Sequence, residues 1–162
     1  MADQPAYDRP AYDRDAALGV IAAHAAQRGA LLPMLHALQH AIGFIPDDLV
    51  ADIADALNIS RADTHGVITF YHDFRRAPSG RHVVKLCRAE SCQARGGAAV
   101  EAAAAERLGV AMGETRADGR VTLEAVYCLG LCASGPSALV DGVPMARLDD
   151  AKLARIAARI AA

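Results

Sequence analysis

The chain holds four cysteines, and they fall into two close pairs. Cys87-Arg-Ala-Glu-Ser-Cys92 places four residues between the first two, and Cys128-Leu-Gly-Leu-Cys132 places three between the second two. Thirty-five residues separate the pairs, and no cysteine is left over. A packed core gains nothing from such pairing. Two pairs of thiolates suit a metal centre, so the fold must bring residues 87–92 and 128–132 to one place.

Length and composition narrow the setting. At 162 residues the chain is long enough for one ordinary domain or two small ones. It is 53% hydrophobic and 22% charged, which is normal for a globular protein. A formal net charge of −2 leaves no basic footprint for nucleic acid. Met1-Ala-Asp-Gln-Pro5 lacks the charged and apolar regions of a secretory signal. No apolar run reaches the roughly 18 residues of a membrane span, so no membrane insertion is expected. The setting expected is cytoplasmic, where disulfides are rare and clustered cysteines more often mean metal or redox chemistry.

Hydrophobic periodicity divides the chain into two parts. Residues 1–14 carry a short tandem repeat, Pro5-Ala-Tyr-Asp-Arg9 and Pro10-Ala-Tyr-Asp-Arg14, and are expected to form a flexible tail. Residues 15–75 carry four helical patterns. The first opens at Asp15 as its cap and runs to about Arg28, with Gly29 as a stop. The second spans about Leu31 to Ile42, with Met34, Leu35 and Leu38 inward and Gly43 as its end. The third opens near Asp47-Asp48 and closes at Asn58. The fourth is announced by Ser60-Arg-Ala-Asp63, a capping box with Asp in place of Glu, and carries Val67, Ile68 and Tyr71 before fading near Phe74. Four short-linked helices predict a small bundle.

Residues 76–81, rich in Pro, Ser and Gly, are expected to be a linker. From 82 to 162 the pattern becomes α/β, which makes the whole chain α+β. His82–Cys87 predicts a strand, Gly96-Gly97 the start of an alanine-rich helix to about Leu108, and Val121–Tyr127 a second strand. A short strand near Met112–Thr115 is expected to pair with it. Ala138–Val140 and Val143–Met145 predict a hairpin around Asp141-Gly142 in a type I′ turn, with Pro144 favouring an edge position. Asp149-Asp150 opens a last helix with Leu153, Ile156 and Ile160 on one face.

This order bears on the cysteines. Cys87 and Cys128 each end a strand, with a helix between. If those strands are parallel neighbours, their C-terminal ends share an edge, where open α/β sheets place their sites. The helix from Gly96 then turns its positive end towards a thiolate-rich, anionic site. Four thiolates suit a tetrahedral zinc or a [2Fe–2S] cluster. Gly130, Ala133, Ser134 and Gly135 are expected to leave backbone N–H groups free for sulfur, which favours iron–sulfur over zinc or unligated buried cysteines.

These motifs resemble the thioredoxin-like [2Fe–2S] ferredoxin family, which includes the 24-kDa-type subunit of respiratory complex I. The similarity extends to Gly43-Phe-Ile-Pro46 and Gly66-Val-Ile-Thr-Phe-Tyr71. It implies a thioredoxin-like domain behind a helical bundle, and one [2Fe–2S] cluster held by Cys87, Cys92, Cys128 and Cys132. It further implies a partner subunit that carries FMN and binds NAD(H). The short form Cys87-Arg-Ala-Glu-Ser-Cys92-Gln-Ala-Arg-Gly-Gly97 is most similar to the gamma subunit of NAD-dependent, molybdenum-containing formate dehydrogenases, implying a molybdenum/iron–sulfur catalytic subunit as well. The equivalent subunit of complex I or of an NAD-reducing hydrogenase is the alternative, and a zinc-stabilised adaptor without redox chemistry is the alternative from another class.

Other candidates are weaker. His36 and His40 share a helix face without a visible third ligand. His65 and His72 read as ordinary helix and loop residues, His82 sits at a strand start, and Glu101 and Glu106 read as solvated. Arg88 and Glu90 lie in the first cysteine loop. No catalytic constellation is visible, so the chain is expected to transfer electrons without a substrate site of its own.

Overall fold

A computed structural model describes residues 12–162. Of the expected tail at 1–14, residues 1–11 lie outside these, and residues 12–14 instead lead into and begin the first helix. The chain divides into two compact units, meeting in sequence at Pro78 and Ser79.

The first unit is helical. Helices α1 (Arg14–His24), α2 (Leu31–Ile42), α3 (Val50–Leu57) and α4 (Arg61–Phe70) follow in order, with a 3-10 turn at Asp47–Leu49 leading into α3. Local chemistry sets most of the ends. Gly43 closes α2 at φ 88° and Asn58 closes α3 at φ 50°, both in the left-handed region that Gly and Asn tolerate. Ser60 caps α4 as expected, but only half of the capping box forms: the Asp63 N–H donates to Ser60 Oγ at 3.0 Å, while the Asp63 carboxylate accepts from the Ser60 hydroxyl at 2.7 Å. Ile21, Met34, Leu35, Leu38, Ile45, Leu49, Ile53, Ile68 and Phe74 make the core. Each contributes about 1.5–3 kcal/mol by leaving water.

Helix α1 departs from expectation at both ends. Asp13, not Asp15, caps it, its side chain accepting from the Ala16 N–H at 2.9 Å. Tyr12 and Arg14 decide this. The Tyr12 hydroxyl donates to Asp48 at 2.6 Å, and Arg14 reaches Asp48 at 2.8 Å and Asp52 at 2.7 Å. The helix then ends at His24, four residues short of Arg28. Tyr71 lies beyond α4 and is 43% exposed. After α4, Gln39 holds the returning chain through the Asp73 carbonyl and the Arg75 N–H, both at 2.7 Å.

The second unit is a mixed sheet with helices. Strands β1 (His82–Cys87), β2 (Val121–Val126), β3 (Ala138–Val140) and β4 (Val143–Met145) lie in the order β2-β1-β3-β4. Strands β1 and β2 are parallel and the other pairs antiparallel. Between β1 and β2 come a short helix α5 (Glu90–Ala94), which the sequence pattern does not predict, and α6 (Gly97–Leu108); α7 (Asp150–Ala161) follows the hairpin. Val84, Leu86, Val121, Leu123, Ala138 and Val140 bury one sheet face against Ala104 and Leu108 of α6 and Leu153, Ile156 and Ile160 of α7. Alternation along each strand produces that face. The predicted strand at Met112–Thr115 is reduced to one bridge, Thr115 to Thr122, because Gly113 turns at φ 85°.

The hairpin turn carries a charge device. Asp141 and Gly142 have φ of 51° and 78°, as a type I′ turn requires. The Asp141 carboxylate accepts from the Val83 N–H at 2.9 Å, lies 3.0 Å from His82 Nδ1 and pairs with Arg159. Burial opposes its ionisation, but His82, the Val83 N–H and Arg159 outweigh burial and hold it below the usual carboxylate range. Its folded pKa is therefore lowered. The stability it contributes is complete above the unfolded carboxylate value of about 3.9 and is lost as pH falls through the folded value. Asp141→Asn keeps a residue tolerant of positive φ but removes the charge. The urea midpoint of the variant should fall at pH 7, with a smaller further loss on acidification than in the wild type.

Candidate metal centre

Register brings the cysteines together. Cys87 is the last residue of β1 and lies level with Val126, the last of β2. Cys128 follows two residues later, so both chains leave the sheet at the same edge. Arg88 N–H donates to the Val126 carbonyl at 2.8 Å and holds the two exits side by side. Cys92 sits on α5, and Cys132 opens a 3-10 turn at Cys132–Ser134.

The thiols meet as two pairs. Cys87 is hydrogen-bonded to Cys92, and both are buried. Cys128 Sγ lies 3.6 Å from Cys132 Sγ, on the open side of the site. Two sulfurs on one tetrahedral metal, with bonds of about 2.3 Å, stand about 3.7 Å apart. The second pair therefore already has the separation that chelating one metal requires. Among the described residues, no three His, Cys, Asp or Glu side chains are arranged around a single ion. Cys87, Cys92, Cys128 and Cys132 are the residues that would hold a metal centre here.

The electrostatics fit an anionic centre. Burial opposes ionisation of Cys87, yet the N–H of Ala89, the Cys92 thiol, and the N–H groups of Cys128 and Leu129 together hold it below the usual thiol value. Successive amides facing one acceptor make an anion cradle. Cys128 itself has φ 73°, a left-handed backbone costly for a residue with a Cβ. Cys132 is pushed the other way, first by its hydrogen bond to Cys128 and the charge there, then by burial and by Cys92 and Cys87.

The surrounding chain is shaped to the sulfurs. A Cβ on Gly135 would stand 3.2 Å from Cys92 Sγ, and one on Gly97 would meet the Cys92 carbonyl oxygen at 2.7 Å. Glycine thus lets α6 begin directly against Cys92. Ser91 Oγ donates to the Cys132 carbonyl at 3.3 Å, linking the two loops.

All four predicted cysteines come together, while two of the expected amide donors, Ser134 and Gly135, are corrected. The Ser134 and Gly135 N–H groups are spent on the Leu131 and Cys132 carbonyls within the 3-10 turn. The donors that face Cys87 are instead those of Ala89, Cys128 and Leu129, which periodicity could not point out. Arg88 is not a free loop residue, nor Glu101 a merely solvated one: they pair at 3.0 Å between the end of β1 and α6. His36 packs its ring on Phe74, with centroids 4.9 Å apart. His82 belongs to the Asp141 pairing.

A parallel strand pair feeding two cysteine loops, with helices packed on one sheet face, defines a small iron–sulfur protein on a thioredoxin-like fold. Residues 17–161 match the family described as thioredoxin-like [2Fe–2S] ferredoxin, and the chain belongs to it. The family's cofactor is a [2Fe–2S] cluster. The chain is 39% identical over 114 residues to the E subunit of the NADH-quinone oxidoreductase of Escherichia coli K12, covering 70% of this chain and 69% of that one. It is 30% identical over 114 residues to the HndA subunit of the NADP-reducing hydrogenase of Solidesulfovibrio fructosivorans, covering 70% of this chain and 67% of that one. The crystal structure of an air-oxidised NAD+-reducing [NiFe]-hydrogenase superposes with a TM-score of 0.69 at 25% identity. That match covers 81% of this chain but only 22% of the hydrogenase chain. No helix among the described residues is long and apolar enough to cross a membrane.

Proposed function

We propose that this chain is an electron-transfer subunit of an NAD-linked oxidoreductase, with one [2Fe–2S] cluster held by Cys87, Cys92, Cys128 and Cys132. The convergence of two cysteine pairs at one sheet edge carries this reading. The names of the relatives support the NAD-linked setting. When bound, the cluster supplies one-electron transfer, at a potential near about −400 mV for all-thiolate centres of plant type. The chain's residues divide the remaining work. Cys87 and Cys92 hold the buried side and the amides of Ala89, Cys128 and Leu129 offset negative charge there. Cys128 is exposed, with Tyr127 beside it 69% exposed, which leaves an open edge for exchange with a partner.

The partner is a subunit carrying FMN and binding NAD(H). Within the NAD-linked class, the similarity of residues 87–97 to formate dehydrogenase gamma subunits supports a formate dehydrogenase complex with a molybdenum/iron–sulfur catalytic subunit, in the cytoplasm. Residues 15–75 form the module that docks on the flavin subunit, 76–81 a linker, and 82–162 the cluster domain. A zinc adaptor is the reading from another class, and the match of residues 17–161 to a [2Fe–2S] family argues against it.

The test is an electron paramagnetic resonance spectrum. Dithionite should produce a rhombic reduced-centre signal in the isolated chain, and NADH alone should not. With the flavin subunit added, NADH should produce the signal. A colourless protein containing zinc would overturn the proposal. A signal from the isolated chain with NADH would reveal a nucleotide or flavin site of its own.

A further inference from the structure

Ser137 stands against the buried side of the cysteine site. It is 2% exposed, and its Oγ lies 3.5 Å from Cys92 Sγ, itself on a residue 1% exposed. The backbone around it is fixed from several directions. Its carbonyl accepts from the Cys87 N–H at 2.9 Å, the Pro136 carbonyl accepts from Leu148 N–H at 2.9 Å, and the Ser134 carbonyl accepts from Arg147 N–H at 2.7 Å. Ser137 thus meets both buried cysteines, its hydroxyl against Cys92 and its carbonyl bonded to the Cys87 N–H.

In the free thiol either atom can donate. A sulfur bound to metal carries no proton, so only the hydroxyl can then supply one. At 2% exposure water cannot take its place, and a buried hydroxyl left unpaired is costly. We infer that Ser137 is a positioning residue that donates an O–H···S hydrogen bond to the Cys92 sulfur and thereby raises the reduction potential of the centre. The direction follows from charge. A donor to a ligand sulfur favours the state with the greater negative charge, which is the reduced one, and hydrogen bonds to sulfur are among the levers that set such potentials. This inference rests on the four-cysteine assignment proposed above.

The experiment uses the full chain, reconstituted with iron and sulfide, in a dithionite titration followed by electron paramagnetic resonance. Ser137→Ala should keep wild-type iron and sulfide content. Its equilibrium constant for one-electron reduction should fall about tenfold, a shift of about 59 mV to lower potential. Ser137→Thr should restore the wild-type value, whereas Ser137→Val, of the same shape without the hydroxyl, should resemble the alanine variant. Resonance Raman spectra of the wild type in H2O and D2O supply a measurement that needs no variant to fold. Its Fe–S(Cys) stretching bands should shift on deuteration, and part of that shift should disappear in Ser137→Ala. An unchanged potential in a coloured Ser137→Ala protein would overturn the inference, as would a wild type whose bands ignore deuterium. A wild type that takes up no iron would instead overturn the four-cysteine assignment.

Discussion

Cys92→Ala should abolish stable retention of the iron–sulfur centre. On the proposed assignment all four cysteines would hold the centre, and the chain has no fifth cysteine to substitute. Cys92 is also the best-enclosed of the four, at 1% exposure, so water cannot readily replace the lost ligand. Iron and sulfide per chain should fall to near zero, and the visible absorption with them. The same holds in kind for Cys87→Ala, Cys128→Ala and Cys132→Ala. Ligand binding is coupled to folding, so the loss should appear as lowered stability of residues 79–162. The unit at residues 12–78, which holds none of the cysteines, should keep its helical signal. A Cys92→Ala protein with full iron and an unchanged spectrum would show the ligand assignment to be wrong.

Leu38→Ala should do the reverse. Leu38 is fully buried among Met34, Leu35, Ile45, Leu49, Ile53 and Ile68. Truncating a buried leucine costs about 2–5 kcal/mol, from lost transfer energy and the cavity left behind. Whole domains are stable by only about 5–15 kcal/mol, and small ones lie at the low end. The helical unit should therefore melt well below the wild type, while iron content stays at the wild-type level because the cysteines lie elsewhere. Helical circular dichroism and iron analysis on one sample check both halves. Loss of iron in Leu38→Ala would mean that the centre depends on the helical unit for its assembly.

Much of this architecture is local and therefore legible. Gly43, Asn58 and Gly109 end α2, α3 and α6 because each takes a left-handed backbone that most residues resist. Ser60 and Asp63 start α4 by a hydrogen bond that spans three residues. Asp141-Gly142 encode the hairpin for the same reason of backbone sign. Alternation along β1 and β2 marks the sheet's buried face. Where two local signals competed, the sequence could not choose. Asp13 and Asp15 are both good caps, and the choice went to Asp13 because Tyr12 and Arg14 are drawn to Asp48 and Asp52, more than thirty residues away. Helix α5 has five residues, too few to show a period.

The site divides in the same way. Residue type and spacing alone determined which sulfurs are available, that they come in pairs, and that a β-α-β order can bring the pairs to one edge. Which backbone groups face them was decided only by the tertiary structure. The register that sets Cys87 level with Val126, the left-handed turn at Cys128, and the 3-10 turn that consumes the Ser134 and Gly135 amides all depend on packing between distant segments. Ser137 shows this most plainly. In the sequence it is one serine five residues beyond a cysteine. Only the pairing of β3 with β1 places its hydroxyl against Cys92, forty-five residues earlier in the chain, because hydrogen-bond partners across a sheet are fixed by strand register and not by distance along the chain.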